Sequence, residues 1–144
     1  MRPGHRRLRR LFECALTLLP ARQRPPRRPG PLIVDLLFAD DDLLAQLNAR
    51  HLRRAASTDV LAFEMNEPDC ERGGWLLGEI AVSREAAARE SAARGLPFEE
   101  ELARYAVHGF LHLLGCRDGT PPARAAMTGL QERALKAAGF GARS

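Results

Sequence analysis

The chain has 144 residues, 45% hydrophobic and 28% charged, enough for one domain that buries roughly two-thirds of the surface its unfolded form would expose. That balance excludes a wholly disordered tail protein and a disulfide scaffold, and no apolar run approaches the roughly 20 residues of a membrane helix. The net charge of +4 is uneven: residues 1–30 carry nine Arg against Glu13, or +8, and the remainder carries −4.

Leu8, Leu11, Phe12, Ala15 and Leu19 recur at helical spacing and predict a helix over 5–19, stopped at Pro20. Basic residues before an apolar run also have the order of a signal peptide. Glu13 interrupts that run, however, and Arg22, Arg24, Arg27 and Arg28 stand where a small-residue cleavage site would lie. These residues predict an amphipathic helix and a cytoplasmic protein. Cys14, Cys70 and Cys116, which have no paired spacing, fit a reducing compartment. Residues 20–31 form a Pro/Arg linker. The segment 1–30 is thus either part of the domain or appended to it, and 31–140 reads as a single catalytic domain. The basic segment can steer a polyanion such as RNA, or be a solvated face.

An apolar run over 32–38 predicts a strand, and Asp40–Asp42 cap a helix near 41–50. A basic loop with Arg50, His51, Arg53 and Arg54 follows. Strands are predicted over 58–65 and 75–82, with 66–74, containing Pro68, Gly73 and Gly74, as the turn between them. Residues 83–94 form a helix ended by Gly95. The next helix, 97–114, has Pro97 at its start, Glu99–Glu101 in its first turn and Gly115 at its C-terminal cap. Thr120 caps a last helix reaching about 138. The fold class is α/β (α+β), a small mixed sheet of about three to four strands with about five helices.

The chemistry concentrates on the 97–114 helix. His108 and His112 are four apart, so their imidazoles project from one face. Two core histidines would satisfy the same spacing. As metal ligands they could share one zinc ion, with Asp118 beyond the Gly115 turn as a third ligand. Three protein ligands plus water is a catalytic pattern, in which the bound water becomes a nucleophile near neutral pH. Cys116 is the competing third ligand. Gly109 argues strongly against a peptidase of the His-Glu type, because it stands where that general base would be. A mid-helix Gly costs about 1 kcal/mol, which points to close approach of another backbone or of a substrate.

The stretch from His108 to Gly115, His-Gly-Phe-Leu-His-Leu-Leu-Gly, closely resembles the signature of the YbeY endoribonuclease family, the bacterial rRNA maturation factors. Leu47-Asn48, the Ser57–Phe63 segment and Leu77–Val82 resemble further family segments, in the same order. The resemblance implies an α/β fold with one Zn²⁺ per chain and cleavage of single-stranded RNA. It further implies a role in 16S rRNA 3′-end maturation and ribosome quality control, with small-subunit ribosomal proteins as partners and no membrane. The family motif ends Gly-Tyr-Asp-His with the final His as third ligand, so Asp118 takes that place here. Leu52 aligns with a family Arg, and a one-residue shift lets Arg53 or Arg54 contact the substrate phosphate in its stead; a solvated loop is the other reading. Thr58 and Asp59 would line the cleft beside the metal, and no general base is assigned. Ala62 and Glu64 stand where the family has Ser and Pro. Two other readings stay open: a catalytically weak RNA- and ribosome-binding assembly factor with a structural metal site, and a zinc hydrolase of small molecules or peptides.

Overall fold

The computed structural model describes residues 3–52 and 59–141. Its elements follow the predicted order: α1 (Pro3–Leu18), β1 (Leu32–Ala39), α2 (Asp41–Leu52), β2 (Val60–Asp69), β3 (Gly74–Ser83), α3 (Arg84–Arg94), α4 (Phe98–Leu113) and α5 (Pro121–Ala137). Ala21–Gln23 forms a single 3₁₀ turn within the Pro/Arg linker.

The three strands make one mixed sheet in the order β1-β3-β2, with β1 parallel and β2 antiparallel to β3. The middle strand, β3, is covered on both faces, which is why Trp75–Val82 reads as a nearly unbroken apolar run. On one face α2 packs through Leu44 against Ala39, Leu61 and Ala81. On the other lies the main core, where Ile80 and Val82 meet Leu11, Ala15 and Leu19 of α1, Val107, Phe110 and Leu111 of α4, and Met127 and Leu135 of α5. Phe12 stacks flat on Phe110, ring centroids 4.3 Å apart. The basic first helix therefore has an apolar face built into the core, and Arg6, Arg9 and Arg10 stand exposed on its other side.

The second strand runs further than its sequence predicts. β2 continues through Asp69, past a bulge between Glu64 and Glu67 where Asn66 adopts φ 48°. The predicted turn at 66–74 shrinks to the few residues before Gly74. Pro68 pairs in register with Trp75 although it has no N–H. An edge strand tolerates this, because the missing donor faces away from the ladder.

Candidate metal centre

Three devices place the site residues on α4 and just beyond it. Pro97 starts the helix, and the three acids Glu99–Glu101 occupy its positive first turn. Gly109 lets the helix lie close to the sheet. A Cβ there would sit 2.7 Å from Cγ2 of Ile80 and 3.1 Å from Cγ2 of Val60. The close approach is thus to strand side chains, and not to a backbone or a substrate as its mid-helix position suggests.

Gly115, at φ 92°, ends the helix in a Schellman turn, with its N–H on the His112 carbonyl at 3.0 Å and the Cys116 N–H on the Leu111 carbonyl at 3.0 Å. That turn brings the following loop back over the last turn of the helix. Asp118 comes to face both imidazoles, its Oδ2 3.7 Å from His108 Nε2 and 3.5 Å from His112 Nε2. The two Nε2 atoms are 3.1 Å apart. Thr120, which caps α5 by accepting from the Ala123 N–H, anchors the far side of the loop.

The other nitrogen of each ring is already engaged. His112 Nδ1 donates to the Cys116 carbonyl at 3.1 Å, and His108 Nδ1 donates to Gln131 Oε1 at 3.0 Å. With both protons on Nδ1, each neutral ring turns an unshared pair at Nε2 towards the other. Two such pairs and a carboxylate oxygen converging at this separation repel unless a cation lies among them. Burial, with neighbouring His112 acting the same way, holds His108 below its ordinary value, against the opposing pull of Gln131 and Asp118. Neutral imidazole is the ligating form.

The triangle of 3.1, 3.5 and 3.7 Å also matches a metal in size. Tetrahedral zinc with bonds of about 2.0–2.1 Å keeps its ligand atoms about 3.3 Å apart. Among the described residues this is the one group of His, Cys, Asp or Glu whose donor atoms converge so. The Cys116 thiol is not in it. It packs against the core, and burial raises its pKa, which disfavours the thiolate that a metal would need.

Tyr105 lies one turn before His108, and its hydroxyl is 3.5 Å from Asp59 Oδ2 at the start of β2. Burial first, and the Asp59 carboxylate after it, push the phenol up to about 12, so it stays a donor near neutrality. Arg53, Arg54 and Thr58, singled out in the sequence, lie outside the described residues. Sequence reasoning missed Gln131, which sits 23 residues from His108 on another helix. A groove of about 1290 Å³ runs between α1 and the edge strand β1, but it is largely apolar and includes none of the three converging residues. No helix among the described residues is long and apolar enough to cross a membrane.

Comparison with known proteins places the chain among relatives of one family. The family model described as Endoribonuclease YbeY matches residues 4–139. A protein of Desulforamulus reducens named Endoribonuclease YbeY is 38% identical over 111 residues, 74% of this chain and 72% of that one. One of the same name from Sinorhizobium fredii is 33% identical over 137 residues, covering 91% and 76%. Among solved structures, the solution structure of a Thermotoga maritima protein matches with a TM-score of 0.54 at 22% identity, covering 95% of this chain and 87% of the other, a likeness of fold. The chain belongs to the endoribonuclease YbeY family.

Proposed function

We propose that this protein is a zinc-dependent endoribonuclease that cleaves single-stranded RNA, acting in the cytoplasm on the 3′ end of a 16S rRNA precursor in contact with small-subunit ribosomal proteins. One observation carries the metal-dependent part: two unshared imidazole pairs and one carboxylate oxygen converge within 4.8 Å, with the rest of each ring already hydrogen-bonded. The names of the relatives support RNA as the substrate. His108, His112 and Asp118 would hold the metal. When bound there, zinc supplies Lewis acidity towards a phosphate oxygen or a water molecule. The Cys116 carbonyl and Gln131 keep the two rings turned the right way. Tyr105, still protonated, offers a hydroxyl beside Asp59 to a substrate lying along this face of α4. Arg53 would meet the scissile phosphate and offset the charge that builds on it.

The test is cleavage of a single-stranded RNA with and without chelator, in the wild type and in His112→Ala. Loss of cleavage on chelation and in the variant supports the reading; equal cleavage in every arm overturns it. A second reading, an assembly factor that binds RNA with little cleavage, is favoured by Asp118 standing where the family has its third His. It requires RNA binding that survives His112→Ala, with little or no cleavage in either protein.

A further inference from the structure

Gln131 is 8% exposed and lies against the imidazole of His108. A primary amide can present either its oxygen or its nitrogen to a ring, and the two choices have opposite consequences. An oxygen requires the proton on His108 Nδ1 and leaves Nε2 free to ligate. A nitrogen would require the reverse, with the proton moved to Nε2 and into the metal position.

The surroundings decide between them. Gln131 Nε2 donates to Glu132 Oε2 at 3.3 Å, which keeps Oε1 towards His108. Glu132 is fixed in turn by Arg104, whose Nε and Nη2 reach its two oxygens at 2.8 and 2.9 Å. That two-point contact of a planar fork with a carboxylate is both strong and directional. Arg104 stands on α4 one turn before His108, its side chain 13% exposed, where it also meets the buried Glu100 and Glu101. The contacts thus leave α4 at Arg104, cross to α5 and return to α4 at His108.

We propose that Arg104, Glu132 and Gln131 form a positioning relay that selects the Nδ1-protonated tautomer of His108 and thereby sets how tightly the centre holds its metal. The tautomer half concerns the protein alone; the affinity half rests on the metal reading above. Hydrogen-bond partners behind ligating histidines typically change metal affinity by about 10- to 100-fold. A glutamine that merely filled space would be replaceable by a side chain of similar volume with no change in either property.

Two measurements on the full chain test this. Multiple-bond ¹H–¹⁵N spectra of the chelator-treated protein read the tautomer of His108, and competition with a chromogenic chelator reads the zinc dissociation constant. The wild type should carry its proton on Nδ1. Gln131→Leu should lose that preference and bind zinc about 10- to 100-fold more weakly. Gln131→Glu, which keeps an acceptor, should restore both, and Glu132→Ala, which frees the amide to turn, should weaken binding in the same direction as Gln131→Leu. Thermal melts in chelator identify any variant that is not folded, and Gln131→Met replaces Gln131→Leu if that one is not. A wild-type tautomer with an unchanged dissociation constant in the folded apolar variant overturns the relay. If the wild type takes up no zinc, the metal reading fails and the tautomer spectra alone decide: loss in the apolar variant sustains the relay, and an unchanged tautomer sinks it.

Discussion

The carbonyl oxygen of Cys116 lies 3.1 Å from Nδ1 of His112, so this cysteine serves the site through its backbone and turns its thiol towards the core. Cys116→Ala keeps the carbonyl, and should retain one zinc per chain by metal analysis after dialysis. His112→Ala and Asp118→Ala should each lose it. Zinc retained in Asp118→Ala and lost in Cys116→Ala would exchange the roles of these two residues.

Two glycines should respond to alanine in opposite directions. On α5, Gly129 is exposed, with nothing within 4 Å of an added Cβ, so Gly129→Ala should gain up to about 1 kcal/mol in helix propensity. At Gly109 the same gain is set against the Ile80 methyl 2.7 Å away. Overpacking costs about 1–3 kcal/mol. Gly109→Ala should therefore be net destabilising, and urea denaturation of both variants compares them directly.

Arg104 neutralises carboxylates that have left water. Glu100 is 3% exposed and Glu101 1%, and both accept from its guanidinium. Arg104→Met would remove the guanidinium that both carboxylates accept from, while Arg94 still reaches Glu101 at 3.1 Å. Removing one side of a buried ion pair costs about 3–5 kcal/mol, so a loss near the lower bound is expected in chemical denaturation. A loss below about 1 kcal/mol, the range of a surface pair, would show the network to be solvated.

Ser83 joins a helix cap to a pH response. Its hydroxyl accepts from the Ala86 N–H at 2.9 Å to cap α3, and donates to Asp41 Oδ1 at 2.5 Å. That hydrogen bond, more than the Arg89 contact, holds the Asp41 carboxyl below its ordinary value. A carboxylate depressed by folding adds stability above its unfolded pKa of about 4 and loses it as the pH falls through the folded value. Ser83→Ala should bring the Asp41 titration, followed by NMR, back towards the ordinary value and soften the acid loss. It should also cost about 1 kcal/mol at neutral pH through the lost cap.

The basic N-terminal segment cannot be tested by deletion, since Leu11, Ala15 and Leu19 are buried with the rest of the core. Neutralising Arg6, Arg9 and Arg10 together, each to Gln, leaves that face intact. If all three meet phosphates, the dependence of single-stranded RNA affinity on salt should become shallower by about 2 log units per log unit of salt. An unchanged slope identifies α1 as a solvated face.

Element order was legible because most segments announce themselves locally. Gly95 and Gly115 close helices, Thr120 opens one, and the apolar runs around Ile33 and Ile80 mark strands. The convergence of His108, His112 and Asp118 was legible for the same reason, since one helix and its terminal turn generate it. What stayed hidden depends on neighbours distant in sequence. Pro68 and Asn66 have turn composition but lie within a strand, because β2 is an edge where a missing donor is harmless. Glu100 and Glu101 look like solvated first-turn acids until Arg104 and α5 close over them. Gln131 carries no motif at all; only the packing of α5 on α4 reveals what it faces.

The stacking of Phe12 on Phe110, with Arg7 reaching the Gly139 carbonyl 132 positions away, has a kinetic side. The stripe of α1 is synthesised well before the helices that cover it, a wait on the order of ten seconds at ordinary rates of about 5–20 residues per second. Until α4 and α5 arrive, that apolar stripe, with arginines beside it, lacks its helical cover. Closing the core over that stripe docks α5 on α4 and so delivers Gln131 to His108. Full burial of the first helix and completion of the histidine site are thus linked, and a chain halted before α5 would lack both Gln131 and the α5 side of the cover on α1.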